Sequence, residues 1–318
     1  MAAAAPTIIA VALNPAIDRT LHVTDLAIGS HVRGRLVSIQ PAGKAVNVAR
    51  LLGSLGTPCI LTGFVGEGDR ERFEKSLAKL PVRVEMFEGH EPTRENITLV
   101  DPQHNIETHI RDVGSALSEE DLDRLSRKLA ILANKGTYVI FAGSLTPGMD
   151  VAAFSALLEV CRDKGAYVAV DSSGPGLETI NRTPRLWLVK PNREELSQIA
   201  GKPVLTEEDV RAVAEPLIKH IRFVVVTMGA EGAYLFCREG IWRARVDIDP
   251  ASVIKTVGSG DALMAGFVLS HAARRRPPEC LRWGVACGTA ATLQLRAGVI
   301  NPYDVKACLE KVELTALK

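Results

Sequence analysis

The segment TVGSGDALMAG, residues 256–266, sets two glycines and a serine immediately before an acid that opens an apolar stretch. Glycines let a chain turn sharply and aim several N–H groups at one point. A helix start adds partial positive charge at the same place. Gly258, Ser259 and Gly260 therefore read as an anion hole, with Asp261 as a carboxylate beside it. Main-chain donors can hold a transferring phosphoryl group while a carboxylate takes a proton from an alcohol. The plainer reading is an acid that only caps the helix. At a helix start Asp261 is expected to be ionised.

Other segments carry weaker signals. PAGKAVNVARLLGSLG (41–56) is a second glycine-bearing turn into a helix, where Gly43, Lys44 and Asn47 offer donors. A lone lysine in such a place is more often simply solvated. NPAID (14–18) ends the first strand and leaves Asp18 where parallel sheets bind ligands. TRENITLV (93–100) puts Arg94 at the start of an exposed strand, where a surface ion pair is the ordinary role. In VKPNREELSQIAG (189–201), Asn192 and Glu195 lie one turn apart. Glu195 could hold a hydrated Mg²⁺ with help from Asn192, and Asn192 as a helix cap competes equally. TMGAEGAY (227–234) ends a strand in a glycine-rich turn that either covers a nucleotide or turns a hairpin. GxxxxGK[ST], a GxGxxG after the first strand, GxSxG and HExxH are all missing, so a nucleotide would be bound outside those patterns.

The elements that must position these residues follow from periodicity. TIIAVAL (7–13), TYVIFAG (137–143), AYVAVDS (166–172), LWLVKPN (186–192) and FVVVTMG (223–229) are near-continuous apolar runs. Strands of that kind are covered on both faces, as in a parallel sheet. Helical stretches fill the gaps: Ser118–Leu132 with Ser118 and Asp121 as a capping box, Val151–Lys164, and one opening at Thr206. The βαβ rhythm predicts one doubly wound α/β domain over 1–318. Residues of about 20–40 and 82–111 break the rhythm by alternating polar and apolar side chains. They read as half-exposed antiparallel strands, either a mobile lid over the open end of the sheet or a plain edge extension.

Composition narrows the class. The chain has 318 residues, and Lys+Arg 38 against Asp+Glu 37 leaves +1, so no basic field announces a nucleic acid or membrane partner. No run of about 18 uninterrupted apolar residues exists. The apolar start MAAAAPTIIAVAL lacks a basic flank and reads as a buried strand rather than a signal peptide. Six cysteines without a CxxC pair read as reduced, buried thiols of a cytoplasmic protein.

Taken in order, NPAID, AGKAVNVA, GFVGEGD, TREN, AGSLTPG, DSSG, VKPNREEL, TMGAEGA and TVGSGDALMAG resemble the ribokinase-like sugar kinases of the PfkB family, phosphosugar subgroup. The resemblance implies ATP- and Mg²⁺-dependent phosphorylation of a ketohexose phosphate, fructose 1-phosphate first, with tagatose 6-phosphate and fructose 6-phosphate as rivals. A catalytically idle sensor of nucleotide or sugar phosphate is the reading from another class. By the same resemblance Asp261 would be the general base and Gly258, Ser259 and Gly260 the anion hole. Asp18, Gly43, Lys44, Asn47 and Ser144 would face the sugar. Arg94, with Lys44 and Arg33, would hold its phosphate. Lys190, Asn192 and Glu195 would face the nucleotide phosphates and Mg²⁺, and Thr227, Gly229 and Gly232 would lie beside the nucleotide. The irregular strands would form a lid and a homodimer contact. The chain departs from the family's GGKG turn, reading Ala42-Gly43-Lys44-Ala45. The Cβ of Ala45 occupies space near the sugar, so the departure bears on specificity and leaves the phosphoryl-transfer centre untouched.

Overall fold

In the computed structural model, which describes residues 6–104 and 106–317, the near-continuous apolar runs are buried strands. The first third of the chain holds β1 (Ile8–Ala12), β2 (Ala16–Val23), β3 (Gly34–Ala42), α1 (Lys44–Ser54), β4 (Cys59–Val65), α2 (Arg70–Leu77), β5 (Val82–Glu88), β6 (Glu95–Asp101) and β7 (Ile106–Arg111). The middle holds α3 (Glu119–Leu132), β8 (Tyr138–Ala142), α4 (Val151–Asp163), β9 (Tyr167–Asp171), α5 (Thr179–Arg182), β10 (Leu188–Val189), α6 (Arg193–Ala200) and α7 (Glu207–Leu217). The last third holds β11 (Phe223–Thr227), β12 (Ala233–Cys237), β13 (Gly240–Val246), α8 (Ser259–Ala272), α9 (Pro277–Thr292), α10 (Pro302–Lys311) and β14 (Val312–Leu317). The initial alanines lie outside the described residues.

Ten strands form the main sheet in the order β14-β13-β12-β11-β10-β9-β8-β1-β4-β5. From β11 to β5 every pairing is parallel, and β12, β13 and β14 extend one edge antiparallel. Side chains alternate between two cores, one on each face. Ile8, Ala10 and Ala12 pack with α1, α8, α9 and α10, whereas Ile9 and Val11 pack with α3, α4 and α7. From Ala262 to Val268 helix α8 is apolar and buried all round, which suits a helix enclosed by others. It packs between α1 and α9. The predicted capping box forms at Ser118 with Asp121, and the helix expected to open at Thr206 does so, with a second box between Thr206 and Asp209. All six cysteines are free and buried. Among the described residues no helix is long and apolar enough to cross a membrane.

A smaller sheet, ordered β3-β2-β6-β7, stands over the carboxyl ends of the main strands. Two expectations need correction here. Val82–Glu88 belongs to the main sheet, paired parallel with β4, so only the later part of 82–111 enters the small one. It alternates because it is an edge strand with one face covered. The small sheet is also mixed: β2 pairs β3 antiparallel but β6 parallel, because two separate excursions of the chain meet edge to edge.

Candidate active site

The carboxyl ends of the parallel strands and the starts of α1, α6 and α8 converge on one charged cluster. At its centre is Asp171, the last residue of β9, with a fully buried side chain. Its Oδ1 pairs with Lys44 Nζ at 2.9 Å and its Oδ2 with Lys190 Nζ at 3.0 Å. Burial opposes ionisation of Asp171, but Lys190 and Lys44 outweigh it and hold the carboxyl below its ordinary range. Glu195 Oε1 lies 3.7 Å from Lys44 Nζ. Burial penalises the Lys44 ammonium as well, yet Asp171, Glu195 and Asp261 together raise its pKa.

Asp261 sits in the first turn of α8 and is 4% exposed. Its Oδ2 accepts a hydrogen bond from Asn47 Nδ2 at 2.9 Å. The expectation that a helix start keeps this acid ionised is overturned. Burial comes first and the Asp171 charge second, and together they push its pKa up to about 7. Donation from Asn47 and the charges of Lys44 and Lys190 only partly offset them. The helix-end field reaches this acid, but loss of hydration is larger.

The turn before Asp261 takes the expected shape. Gly258 has φ 90°, a left-handed conformation open to glycine at little cost. The Ser259 amide closes on the Thr256 carbonyl at 3.2 Å. Among the described residues, the Gly260 and Asp261 amides have no main-chain partner, as expected at a helix start. A Cβ at position 260 would stand 3.2 Å from Lys190 Nζ, so this ammonium lies close beside the start of α8.

The remaining expected residues divide into two groups. Lys44, Asn47, Lys190 and Glu195 join Asp261 in the cluster, and Gly43 opens α1 beside them. Asn192 caps α6: its Oδ1 accepts from the Glu195 amide, and Glu195 Oε2 accepts from the Asn192 amide, both at 2.8 Å. Thr227 lies against that cap, its amide donating to the Pro191 carbonyl at 3.0 Å. Gly229 and Gly232 turn the hairpin between β11 and β12, and Arg193 pairs with Glu231 across it.

Asp18 is two residues inside β2 rather than at the end of the first strand, and its Oδ1 accepts from Asn96 Nδ2 at 2.9 Å. Ser144 follows β8 and accepts from Asn14 Nδ2 at 3.3 Å. Arg33 is exposed on the loop into β3, outside this hydrogen-bond network. Among the described residues, Arg94 makes no ion pair of the kind expected from its position. It donates to the carbonyls of Asn14 at 2.8 Å, Pro15 at 3.2 Å and Asp112 at 2.8 Å. These carbonyls lie on the β1–β2 and β7–α3 crossings between the two sheets, so Arg94 ties the crossings together.

Asp171 had been visible only as the acid of DSSG at a strand end, and Asn14 as the first residue of NPAID. Neither segment, taken alone, signals that its polar side chain turns inward to bind across the fold. An acid between two ammoniums, a second acid holding its proton near neutrality and a pair of free helix-start amides suit group transfer to a hydroxyl.

The family profile described as "pfkB family carbohydrate kinase" matches residues 11–303. The chain belongs to the PfkB family of carbohydrate kinases. Among PfkB relatives, it is 32% identical over 311 residues to 1-phosphofructokinase of Vibrio cholerae serotype O1, covering 98% of this chain and 97% of that one. It is 29% identical to 1-phosphofructokinase of Bacillus subtilis, covering 96% and 99%. A crystal structure of phosphofructokinase-2 from Escherichia coli in complex with substrates and products superposes with a TM-score of 0.86 at 26% identity, covering 96% and 98%.

Proposed function

We propose that this PfkB kinase transfers the γ-phosphoryl group of ATP to a hydroxyl of a ketohexose phosphate, with fructose 1-phosphate as the preferred acceptor and fructose 1,6-bisphosphate as the product. The observation that carries the reading is the meeting of Asp261, the free amides of α8 and the Lys44–Asp171–Lys190 cluster at one point. The 1-phosphofructokinase relatives, similar over nearly the full chain, support the choice of acceptor.

In this reading Asp261 takes the proton of the attacking hydroxyl, and its raised pKa makes it a better base than an ordinary aspartate. The amides at 260–261 and Lys190 receive the charge of the transferring group. Asp171 holds both ammoniums in place, so their charge is in position before the phosphates arrive. Asn47, Asp18 and Ser144 face the sugar, and Arg94 and Arg33 its phosphate. Glu195, a buried carboxylate at the edge of the cluster, suits a Mg²⁺ ion that keeps most of its waters and is bound chiefly by phosphates. Such an ion would neutralise phosphate charge. The small sheet closes over the sugar, and its exposed Leu36, Ile39, Ile106 and Ile110 meet a second copy of the chain. The balanced charge and free thiols suit a cytoplasmic enzyme.

The test is a panel of fructose 1-phosphate, fructose 6-phosphate and tagatose 6-phosphate, compared by kcat/KM from ADP release with ATP and Mg²⁺. Preference for fructose 1-phosphate is expected. A higher kcat/KM for either rival overturns the acceptor assignment, and ADP release with none of the three overturns the substrate class.

A further inference from the structure

Arg50 is a buried cation held on unusual terms. It lies one turn after Asn47 on α1 and is 8% exposed. Among the described residues, both hydrogen bonds it donates go to neutral oxygens: Nη2 to the Pro41 carbonyl at 2.9 Å, and Nη1 to Asn47 Oδ1 at 3.3 Å. Asp18 attracts it and Arg296 repels it. Burying a guanidinium without a carboxylate against it costs free energy, so its position calls for a cause. The 296–298 turn closes down on the same pair. A Cβ at position 298 would stand 2.8 Å from Asn47 Oδ1 and 2.9 Å from Arg50 Nη1.

The chemistry of the three groups fixes one arrangement. A guanidinium only donates, so the Asn47 oxygen must face Arg50. The Asn47 amide nitrogen is then turned to the other side, where Asp261 Oδ2 accepts from it at 2.9 Å. We propose that Arg50 is a positioning residue for the reaction: it locks the Asn47 amide so that the N–H, never the carbonyl, faces Asp261. The proposal rests on the reading of Asp261 as the base. The charged groups that face Asp261 are Asp171 at the end of β9, Lys44 at the start of α1 and Lys190 after β10, and Arg50 acts on it only through Asn47. Without Arg50 the amide is free to rotate and set its oxygen against the carboxylate. That contact is tolerable only when the acid carries its proton.

The experiment is the pH dependence of kcat between pH 5.5 and 9, at saturating ATP, Mg²⁺ and fructose 1-phosphate. Arg50→Met is expected to move the acidic limb upward by about one pH unit, the scale of one charge-assisted hydrogen bond. Turnover then falls about tenfold below the limb and recovers to within a few-fold of the parent at pH 9. Arg50→Lys keeps the charge and one donor, and its limb falls between the two. In an Asn47→Leu background, Arg50→Met no longer moves the limb. A uniform loss of kcat at every pH, or a shift that persists without Asn47, overturns the proposal. If Arg50→Met does not fold, Arg50→Lys with a parental limb overturns it equally. Asp261→Asn separates the two readings. A limb that survives in that variant removes Asp261 as the base, whereas a limb lost there but unmoved by Arg50 substitution removes only the role of Arg50.

Discussion

Asp261→Asn should make the protein more stable while it removes turnover. In the folded chain burial and the Asp171 charge lift the Asp261 pKa from the ordinary 3.8 to about 7. In the unfolded chain the carboxyl returns to its ordinary value. Between those two pH values the folded state binds the proton and the unfolded state does not, so stability falls as pH rises through the window. The full gap corresponds to about 4 kcal/mol lost by pH 8. Asparagine has the same shape, carries no charge and still accepts from Asn47. The variant should therefore be more stable than the parent by about 4 kcal/mol at pH 8, and by less than half of that at pH 5. Urea unfolding of both proteins at the two pH values measures the gap, and an ADP-release assay should show kcat reduced by about 10²–10⁴-fold. A gap that is equal at pH 5 and pH 8, or an asparagine variant less stable at pH 8, would refute the argument that the site holds a strained acid.

Three further expectations test neighbouring parts of the site. Asp171→Asn leaves Lys190 without its counter-charge, which should cost about 3–5 kcal/mol in urea unfolding. It should also move the acidic limb of kcat downward, since the like charge beside Asp261 is gone; an unmoved limb would count against the electrostatic coupling. Arg94→Ala should raise KM for the sugar phosphate about 10–100-fold with KM for ATP unchanged. Equal changes in both would show that the residue only ties the crossings together. His271 is half-buried, with Tyr138 Oη 2.7 Å from its Nδ1, and desolvation first and Arg222 second lower its pKa. The unfolded chain therefore takes up the proton first, and stability should fall as pH drops below about 6.5. His271→Gln should flatten that slope between pH 7 and pH 5 relative to the parent; parallel slopes would show that the imidazole does not cause it.

Much of the main sheet was legible because strands covered on both faces must be apolar throughout, as in Ile8–Ala12 and Phe223–Thr227. The 258–261 turn was legible because its left-handed residue requires a special sequence. What stayed hidden depended on partners distant in the chain. Val82–Glu88 carries the alternation of a half-covered strand, and that pattern cannot say which sheet it joins. Val312–Leu317 follows α10 directly and pairs with β13, a contact its own six residues do not announce. The protonation of Asp261 was misjudged because a local rule about helix ends was applied to a group whose hydration is removed by α1 and β9. Arg50 drew no notice because an arginine on an amphipathic helix ordinarily points to water.

The small sheet has a further consequence for how such a molecule is assembled from parts. Each of its two excursions leaves and rejoins the body at adjacent points. Ala16 pairs with Ala42 at the foot of the first, and Arg94 bonds the Asp112 carbonyl at the foot of the second. No strand of the ten-stranded sheet lies within either. Both are therefore insertions with closed ends, whose length can change at little entropic cost to the frame that receives them. Lineages built on this frame can redesign the cover by lengthening, shortening or exchanging two cassettes, while the charged floor beneath stays as it is.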